Sequence, residues 1–204
     1  MPQKLILFDF DGTIADTFPV FLVFAGLEGF TFDAGKLGEF RDLSMRDALV
    51  RLHIPMWKVP FIAAKFHRYF RKASDDVRLV VGIDRAIRNL YSDGYLLGIV
   101  TTNSVENVKK ILGREGIDDC FGVIRSERNV FGKARTLKDI VRRLGIPPET
   151  AWYVGDEVRD IEAAREAGLL PVSVTWGFNS ESILRATNPD RLVSRPEELP
   201  SLFR

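Results

Sequence analysis

The stretch Leu5-Ile6-Leu7-Phe8-Asp9-Phe10-Asp11-Gly12-Thr13 decides how this sequence is interpreted. Its first four residues are all apolar and predict a buried strand, and parallel sheets bind their ligands beyond the carboxyl ends of such strands. Asp9 and Asp11 follow the strand at positions i and i+2, so their side chains project to the same side of an extended chain. Two carboxylates this close repel each other unless a cation joins them. The segment therefore predicts a divalent metal site with oxygen ligands rather than a solvated turn.

Short apolar runs alternate with helical spacing along most of the chain. The predicted strands are Leu5–Phe8, Leu96–Thr101, Gly122–Ile124, Ala151–Val154 and Val172–Thr175. The predicted helices between them are Ile83–Tyr91, Val105–Arg114, Leu137–Leu144 and Val158–Ala167. All four helices stop at or shortly before a glycine, a residue that readily adopts the left-handed conformation that ends a helix. The pattern indicates an α/β fold with a doubly wound parallel sheet.

One connection is too long for this pattern. The first strand ends near Phe8 and the next begins near Leu96, although a parallel crossover needs only about a dozen residues. Residues 15–80 are therefore predicted to be an inserted helical domain without strands, and residues 1–14 and 81–204 the α/β core. Two helices are expected in the insert, around 48–52 and 57–70. Four aromatic residues are expected to form the core of the insert or its hinge contact: Trp57, Phe61, Phe66 and Phe70.

Composition excludes several classes of protein. The 204 residues are 46% hydrophobic and 28% charged, with a net charge of +1, which is ordinary for a globular protein and argues against a polyanion binder. The single cysteine, Cys120, excludes a disulfide framework and a cysteine-based zinc cluster. The longest apolar run, Phe18–Leu27, is shorter than the roughly 20 residues of a membrane-spanning helix. The start, Met1–Lys4, lacks signal-peptide character, so we expect a cytoplasmic protein, monomeric or homodimeric, without nucleic-acid or membrane partners.

The first motif resembles that of a known family. Asp9-Phe10-Asp11-Gly12-Thr13 is similar to the first motif of the haloacid dehalogenase superfamily of phosphatases. A helical insert directly after this motif resembles the cap of the phosphoglycolate phosphatase-like branch. The resemblance spans residues 4 to 178 and implies a Rossmann-like core with an α-helical cap, Mg²⁺ as cofactor and a small phosphorylated metabolite as substrate.

The second motif follows the predicted strand that ends at Thr101. Hydroxyl and amide groups at a strand end, just before a helix, provide donors for a phosphate. The resemblance implies that Thr101 holds the phosphoryl group, with Thr102 and Asn103 as further donors to the substrate. The register between the two threonines stays open, and Ser104 is expected to cap the helix.

As a third motif, the resemblance implies a lysine that neutralises the phosphate and orients the nucleophile. Lys133 lies after the third predicted strand and before a helix, as the resemblance requires. The family usually has proline after this lysine, whereas this sequence has Ala134. The other lysines that could take the role are Lys109, Lys110 and Lys138.

The fourth motif is an acid pair after the fourth strand. Asp156 ends that strand, and Asp160 lies four residues later, about one helical turn further along. The resemblance implies that Asp156 binds the metal together with Asp9 and the Asp11 backbone carbonyl, and that Asp160 is directed at the water shell of the metal. Glu157 is an alternative ligand, but an acid at the start of a helix is also favoured by the helix dipole.

The four motifs together imply a phosphatase mechanism. Asp9 would attack phosphorus and form an aspartyl-phosphate, and Asp11 would act as general acid and then as general base. Thr101 and Lys133 would stabilise the oxygens of the transferred group. A phosphomutase of the same family and a phospho-accepting signalling switch without turnover remain alternatives. A catalytically silent binding protein is disfavoured, since every acid of the motifs is present.

One segment of the insert is strongly basic. Between Arg41 and Lys72 there are eight basic and two acidic residues, which would suit a lid that attracts an anionic substrate, or simply a solvated outer face. Arg41 and Arg46 flank a predicted helix start at Ser44 and are the residues of the insert that we expect to contact the substrate.

Overall fold

The computed structural model describes residues 4–30, 33–127 and 129–203. The start of the chain, Met1–Lys4, for which the sequence predicted no signal peptide, lies outside the described residues except for Lys4. The strands, in chain order, are β1 (Leu5–Phe8), β2 (Ala15–Asp16), β3 (Arg78–Leu79), β4 (Leu96–Thr101), β5 (Phe121–Ser126), β6 (Trp152–Gly155), β7 (Leu170–Val174) and β8 (Arg191–Val193). The α-helices are α1 (Phe18–Leu27), α2 (Ala34–Arg41), α3 (Met45–Arg51), α4 (Val59–Ala73), α5 (Ile83–Ser92), α6 (Val105–Arg114), α7 (Lys133–Leu144), α8 (Val158–Ala167), α9 (Glu181–Ala186) and α10 (Leu199–Leu202).

Six strands form one parallel sheet in the order β5-β4-β1-β6-β7-β8. The predicted α/β class and doubly wound parallel sheet are confirmed. All five predicted strands are present: β1 and β4 have the predicted ends, and the other three have shifted ends. The sixth strand, β8, was missed because it is three residues long and its first residue, Arg191, is exposed at the sheet edge. The order places β1 beside β4 and β6, so the carboxyl ends of these strands meet at one edge.

Helices cover both faces of the sheet because successive residues of β1 point in opposite directions. Ile6 and Phe8 pack in the larger apolar cluster, which includes residues of α5 and α6. Leu5 and Leu7 pack in a second cluster with residues of α7 and α8. All four side chains are fully buried, so β1 is held rigidly where the acid pair follows it.

In the predicted insert, residues 15–80, the described residues form four α-helices, α1 to α4, where the sequence predicted two. The strand-free prediction was wrong, since β2 pairs antiparallel with β3 and brings the two ends of the insert together. The aromatic prediction holds only in part: Phe70 is buried and Phe66 half-buried, but Trp57 and Phe61 are 66% and 67% exposed and contact each other in an edge-on arrangement. None of the helices in the described ranges has both the length and the apolar character needed to span a bilayer.

Candidate active site

The four sequence motifs meet at the carboxyl edge of the sheet. Asp9 follows β1, Thr101 ends β4, and Asp156 follows β6, three strands that are neighbours in the sheet. Lys133 is the first residue of α7, which begins four residues earlier than predicted. The fold thus brings together residues up to 147 positions apart in the sequence. Asp9 and Lys133 are 2% exposed, and Thr101 and Asp156 are fully buried.

Lys133 lies between two acids. Its Nζ is 2.7 Å from Asp9 Oδ2 and 2.7 Å from Asp160 Oδ1, and all three side chains are 2% exposed. Burial opposes the ammonium charge, but the Asp160 and Asp9 carboxylates outweigh it and raise the pKa of Lys133. Beneath it lies the ring of Tyr153, whose centroid is 5.7 Å from Nζ. Lys133 is therefore a fixed positive charge in the site.

The three other lysines considered for this role lie outside the site. Lys109, Lys110 and Lys138 are exposed; Lys110 pairs with Asp75 and Lys138 with Glu166.

The carboxylate of Asp9 has a strongly altered protonation equilibrium. Burial raises the pKa of Asp9 to about 7, against the effect of the Lys133 ammonium, while Asp160 adds to the increase. The Asp9 Oδ1 atom accepts a hydrogen bond from the backbone N–H of Phe10 (2.8 Å). The carboxylate thus needs further positive charge to be fully ionised at neutral pH.

Asp11 lies in a different environment, on the side of β4. Its Oδ1 accepts a hydrogen bond from Asn103 Nδ2 (3.1 Å), and its Oδ2 accepts one from Thr101 Oγ1 (3.3 Å). Burial raises the pKa of Asp11, and the Asn103 amide partly opposes the increase. Asn103 is itself held by Asn107, which donates to its side-chain oxygen (3.0 Å). Asp11 is therefore positioned by neutral donors, and its burial favours the protonated form of the carboxyl group.

Three buried carboxylates could hold a metal. Asp9, Asp156 and Asp160 each offer an oxygen, and these atoms lie within 4.8 Å of one another. Burial and the neighbouring acids Glu157, Asp160 and Asp9 raise the pKa of Asp156 well above its usual value, so the cluster is unfavourable in its ionised form without a cation. A set of carboxylate oxygens fits a hard ion such as Mg²⁺. The Asp11 carboxylate is not part of this cluster.

Close packing holds Asp156 in place. Gly12 has φ +81°, and a Cβ atom there would lie 2.3 Å from Asp156 Oδ2; a Cβ at Gly177 would meet the same oxygen at the same distance. Thr13 Oγ1 donates to Asp156 Oδ1 (2.7 Å), and the backbone N–H of Phe178 donates to Oδ2 (2.7 Å). Both glycines thus leave room for the carboxylate, and two donors fix its orientation.

Sequence reasoning missed the segment after Trp176. The segment contains Phe178, whose N–H donates to Asp156, and Asn179. The Asn179 side chain accepts a hydrogen bond from the N–H of Val158 at the start of α8 (2.9 Å) and donates to the carbonyls of Arg41 and Leu43. Asn179 is 1% exposed. A signal was present, because Gly177-Phe178-Asn179 comes shortly after the buried strand β7. The residues that Asn179 contacts, however, lie far away in the sequence.

The remaining predicted residues surround the site. Thr102 is half-buried and lines a cavity above Asp11. Arg41 lines the same cavity, and its guanidinium donates to the carbonyls of Gly177 and Phe178 (3.0 Å each). Arg46 is exposed, with its guanidinium 4.9 Å from the ring centroid of Phe131. Both arginines contact the core, so their role in substrate binding stays a prediction.

Comparison with known proteins identifies the family. The chain belongs to the haloacid dehalogenase-like hydrolase family, whose model matches residues 6–174. It is 34% identical over 202 residues to a phosphoglycolate phosphatase from Synechococcus elongatus, covering 97% of this chain and 95% of that protein. It is 28% identical over 215 residues to the pyrophosphatase PpaX of Listeria innocua, with coverages of 98% and 95%. The chain is therefore an enzyme of this family and is similar to its phosphatases.

Solved structures agree on the fold. A haloacid dehalogenase-like hydrolase from Streptococcus pneumoniae matches with a TM-score of 0.79 at 23% identity, covering 99% of both chains. A structure described as a predicted phosphoglycolate phosphatase from Haemophilus somnus matches with a TM-score of 0.75 at 21% identity, covering 100% of this chain and 99% of that one. The expected resemblance to this family is confirmed.

Proposed function

We propose that this enzyme hydrolyses a small organic phosphate monoester, with Mg²⁺ as cofactor and with the phosphoryl group carried transiently on Asp9. The observation that carries the proposal is the difference between two neighbouring carboxylates. Asp9 is paired with the Lys133 ammonium at 2.7 Å, whereas Asp11 accepts hydrogen bonds from the neutral groups of Thr101 and Asn103. The Lys133 ammonium favours the anionic form of Asp9 that a nucleophile needs, against the effect of burial, whereas the burial of Asp11 favours the protonated form that a general acid needs.

In the first step, an oxygen of Asp9 forms a bond to phosphorus while the bond from phosphorus to the ester oxygen breaks. Lys133 fixes the Asp9 carboxylate and stabilises its charge. Bound by Asp9 and Asp156, with Asp160 close by, Mg²⁺ would supply the positive charge that offsets repulsion between the carboxylate and the phosphate. Thr101 and Thr102 offer hydroxyl donors to the phosphate oxygens, while Asn103, whose side chain holds Asp11, offers its amide.

Asp11 handles the proton in both steps. It donates a proton to the leaving oxygen as the aspartyl-phosphate forms. It then accepts a proton from the water that attacks phosphorus, so that Asp9 is released as a carboxylate and inorganic phosphate leaves. The raised pKa of Asp11 suits this exchange, because it favours the protonated form that a general acid must have before it donates.

The helical insert, residues 15–80, would act as a cap over the site. Arg41 and Arg46 would contact the substrate from this cap, since Arg41 lines the cavity above Asp11 and Arg46 contacts Phe131 beside the Lys133 segment. The names of the relatives point to phosphoglycolate and pyrophosphate as two substrates to test first. The cytoplasmic location and the choice between monomer and homodimer stay predictions.

The test is phosphate release from a panel of phosphate esters, measured with EDTA and then with added Mg²⁺. Asp9→Asn should abolish Mg²⁺-dependent release, because the amide is a poor nucleophile, while the folded state is kept by circular dichroism. Asp16→Asn is the matched control: Asp16 is exposed in β2, and its substitution should leave the rate unchanged. A panel without any Mg²⁺-dependent release would contradict the proposal. Continuous release also separates a phosphatase from a phospho-accepting switch, and product analysis separates it from a mutase.

A further inference from the structure

A cavity of about 240 Å³ runs from the catalytic edge into the interior of the cap. At the catalytic edge the cavity is bounded by Asp11, Gly12 and Thr102. All four cap helices contribute apolar side chains to its wall, and six of these are Phe18, Phe21, Phe40, Leu49, Ile62 and Phe66. The volume lies just below the roughly 300 Å³ at which pockets for drug-sized ligands begin. The space suits a short alkyl chain or a single ring.

The apolar wall begins directly at the metal-binding acids. The backbone N–H of Phe178 binds Asp156, and the ring of Phe178 contacts those of Phe18 (5.3 Å between centroids) and Phe21 (5.1 Å). Phe21 in turn contacts Phe66 on α4 (6.2 Å). An organic group attached to a phosphate at Asp9 would therefore enter a space walled by aromatic rings.

Part of the aromatic wall of the cavity is less buried than the protein core. Phe70, one turn beyond Phe66 on α4, is fully buried, whereas Phe18, Phe21 and Phe66 are each only half-buried. Apolar surface in contact with water costs about 25 cal/mol per Å², and an apolar ligand recovers this free energy when it displaces the water.

The charged groups at the cavity are poorly arranged for a second anion. The Arg41 guanidinium donates to two backbone carbonyls, and Arg159 is paired with Glu157 at 2.5 Å. The Glu28 carboxylate also lines the cavity, paired with Lys65 at 2.7 Å. A carboxylate on the substrate, as in phosphoglycolate, would lose its hydrating water in the cavity and would face an apolar wall and the Glu28 carboxylate instead.

We propose that the substrate of this site is a phosphate monoester with an apolar organic group, which occupies the cap cavity while the phosphate binds at Asp9. This inference rests on the proposed function and specifies its substrate class. It gives the cap helices, of which α1 and α4 are rich in aromatic residues, a role in specificity that the phosphate-binding residues cannot supply.

The test is kcat/KM for straight-chain alkyl phosphates from ethyl to hexyl, compared with phosphoglycolate. We expect kcat/KM to rise about fourfold per methylene, the factor that corresponds to about 0.8 kcal/mol per buried CH₂. Hexyl phosphate should exceed ethyl phosphate by roughly two orders of magnitude and should exceed phosphoglycolate. A flat or falling series, or phosphoglycolate as the best substrate, would overturn the inference.

Two alanines of α4 provide a matched pair of variants. Ala63 lines the cavity and Ala64, the next residue, is exposed. Ala63→Leu should lower the hexyl-to-ethyl ratio of kcat/KM at least tenfold because it fills part of the cavity, and Ala64→Leu should leave the ratio unchanged. An equal ratio in both variants counts against the inference. The wild-type series decides the matter if Ala63→Leu does not fold.

The two proposals fail differently. If phosphoglycolate is hydrolysed with Mg²⁺ and the alkyl series is flat, only the substrate class is wrong. If no ester on either list releases phosphate, the proposed function itself is wrong.

Discussion

Replacing Lys133 by methionine should destabilise the protein strongly, because it leaves buried acids without their counter-charge. The lysine is 2% exposed and contacts Asp9 and Asp160 at 2.7 Å each, in a region that includes Asp156 as well. Removing one partner of a buried ion pair typically costs about 3–5 kcal/mol. We expect a loss in this range at pH 8 without metal. Urea unfolding followed by circular dichroism measures it as a lower midpoint.

The loss should shrink at low pH. The pKa of Asp9 is about 7 in the folded protein, so at pH 5 its carboxyl group is protonated and its pairing with Lys133 contributes little. The matched control is Lys138→Met in the same helix: that lysine is 50% exposed and lies 3.3 Å from Glu166, an exposed pair that contributes about 0–1 kcal/mol. The result that would refute this reasoning is a free energy of unfolding at pH 8 that lies within about 1 kcal/mol of the wild-type value in both variants. The buried charge network would then be energetically unimportant.

Two further predictions concern the acids and the glycine beside them. Without metal, the free energy of unfolding should fall as pH rises from about 4 towards 8. The pKa of Asp9 is about 7 in the folded protein, above its usual 3.8, so the protonated form of Asp9 stabilises the fold. That stability is lost as pH rises through 7. Added Mg²⁺ should therefore raise the melting temperature more at pH 8 than at pH 5, and an equal rise at both pH values would contradict the metal site. Gly12→Ala should cost about 1–3 kcal/mol from positive φ and should also abolish activity by displacing Asp156. Gly29→Ala, at φ +90° in open space, should carry a similar backbone cost without loss of activity; equal activity in the two variants would show that Asp156 tolerates the displacement.

The core sheet was predictable because its strands carry continuous apolar runs. Buried parallel strands such as β1 and β4 have no polar alternation to confuse their assignment, and the acids, hydroxyls and lysine stand at their ends. The short edge strand β8 has too few residues to produce such a signal.

The cap was harder to predict, for two physical reasons. The helix α1 is apolar on all sides, so it shows no amphipathic period, and α2 contains two glycines, which weaken helix propensity. Trp57 and Phe61 have the helical spacing of core residues, yet both are exposed in the fold.

The motif residues of the candidate site could be read from the sequence, but their partners could not. The hydrogen bond from Thr13 to Asp156 and the contacts of Asn179 with Arg41 and Leu43 join residues more than 130 positions apart. No local pattern encodes such a pairing. The apolar cavity is likewise a property of four packed helices, and no one segment of the sequence reveals it.

The most direct test of the account is to look for the phosphoryl group on Asp9 during turnover. Enzyme quenched in acid after mixing with Mg²⁺ and a hydrolysed ester should carry one phosphoryl group, mapped by peptide mass spectrometry to Asp9 and removed by hydroxylamine. Asp9→Asn should carry none and release no phosphate. Steady phosphate release by Asp9→Asn at the wild-type rate, or a phosphoryl group found on a different residue, would contradict the account.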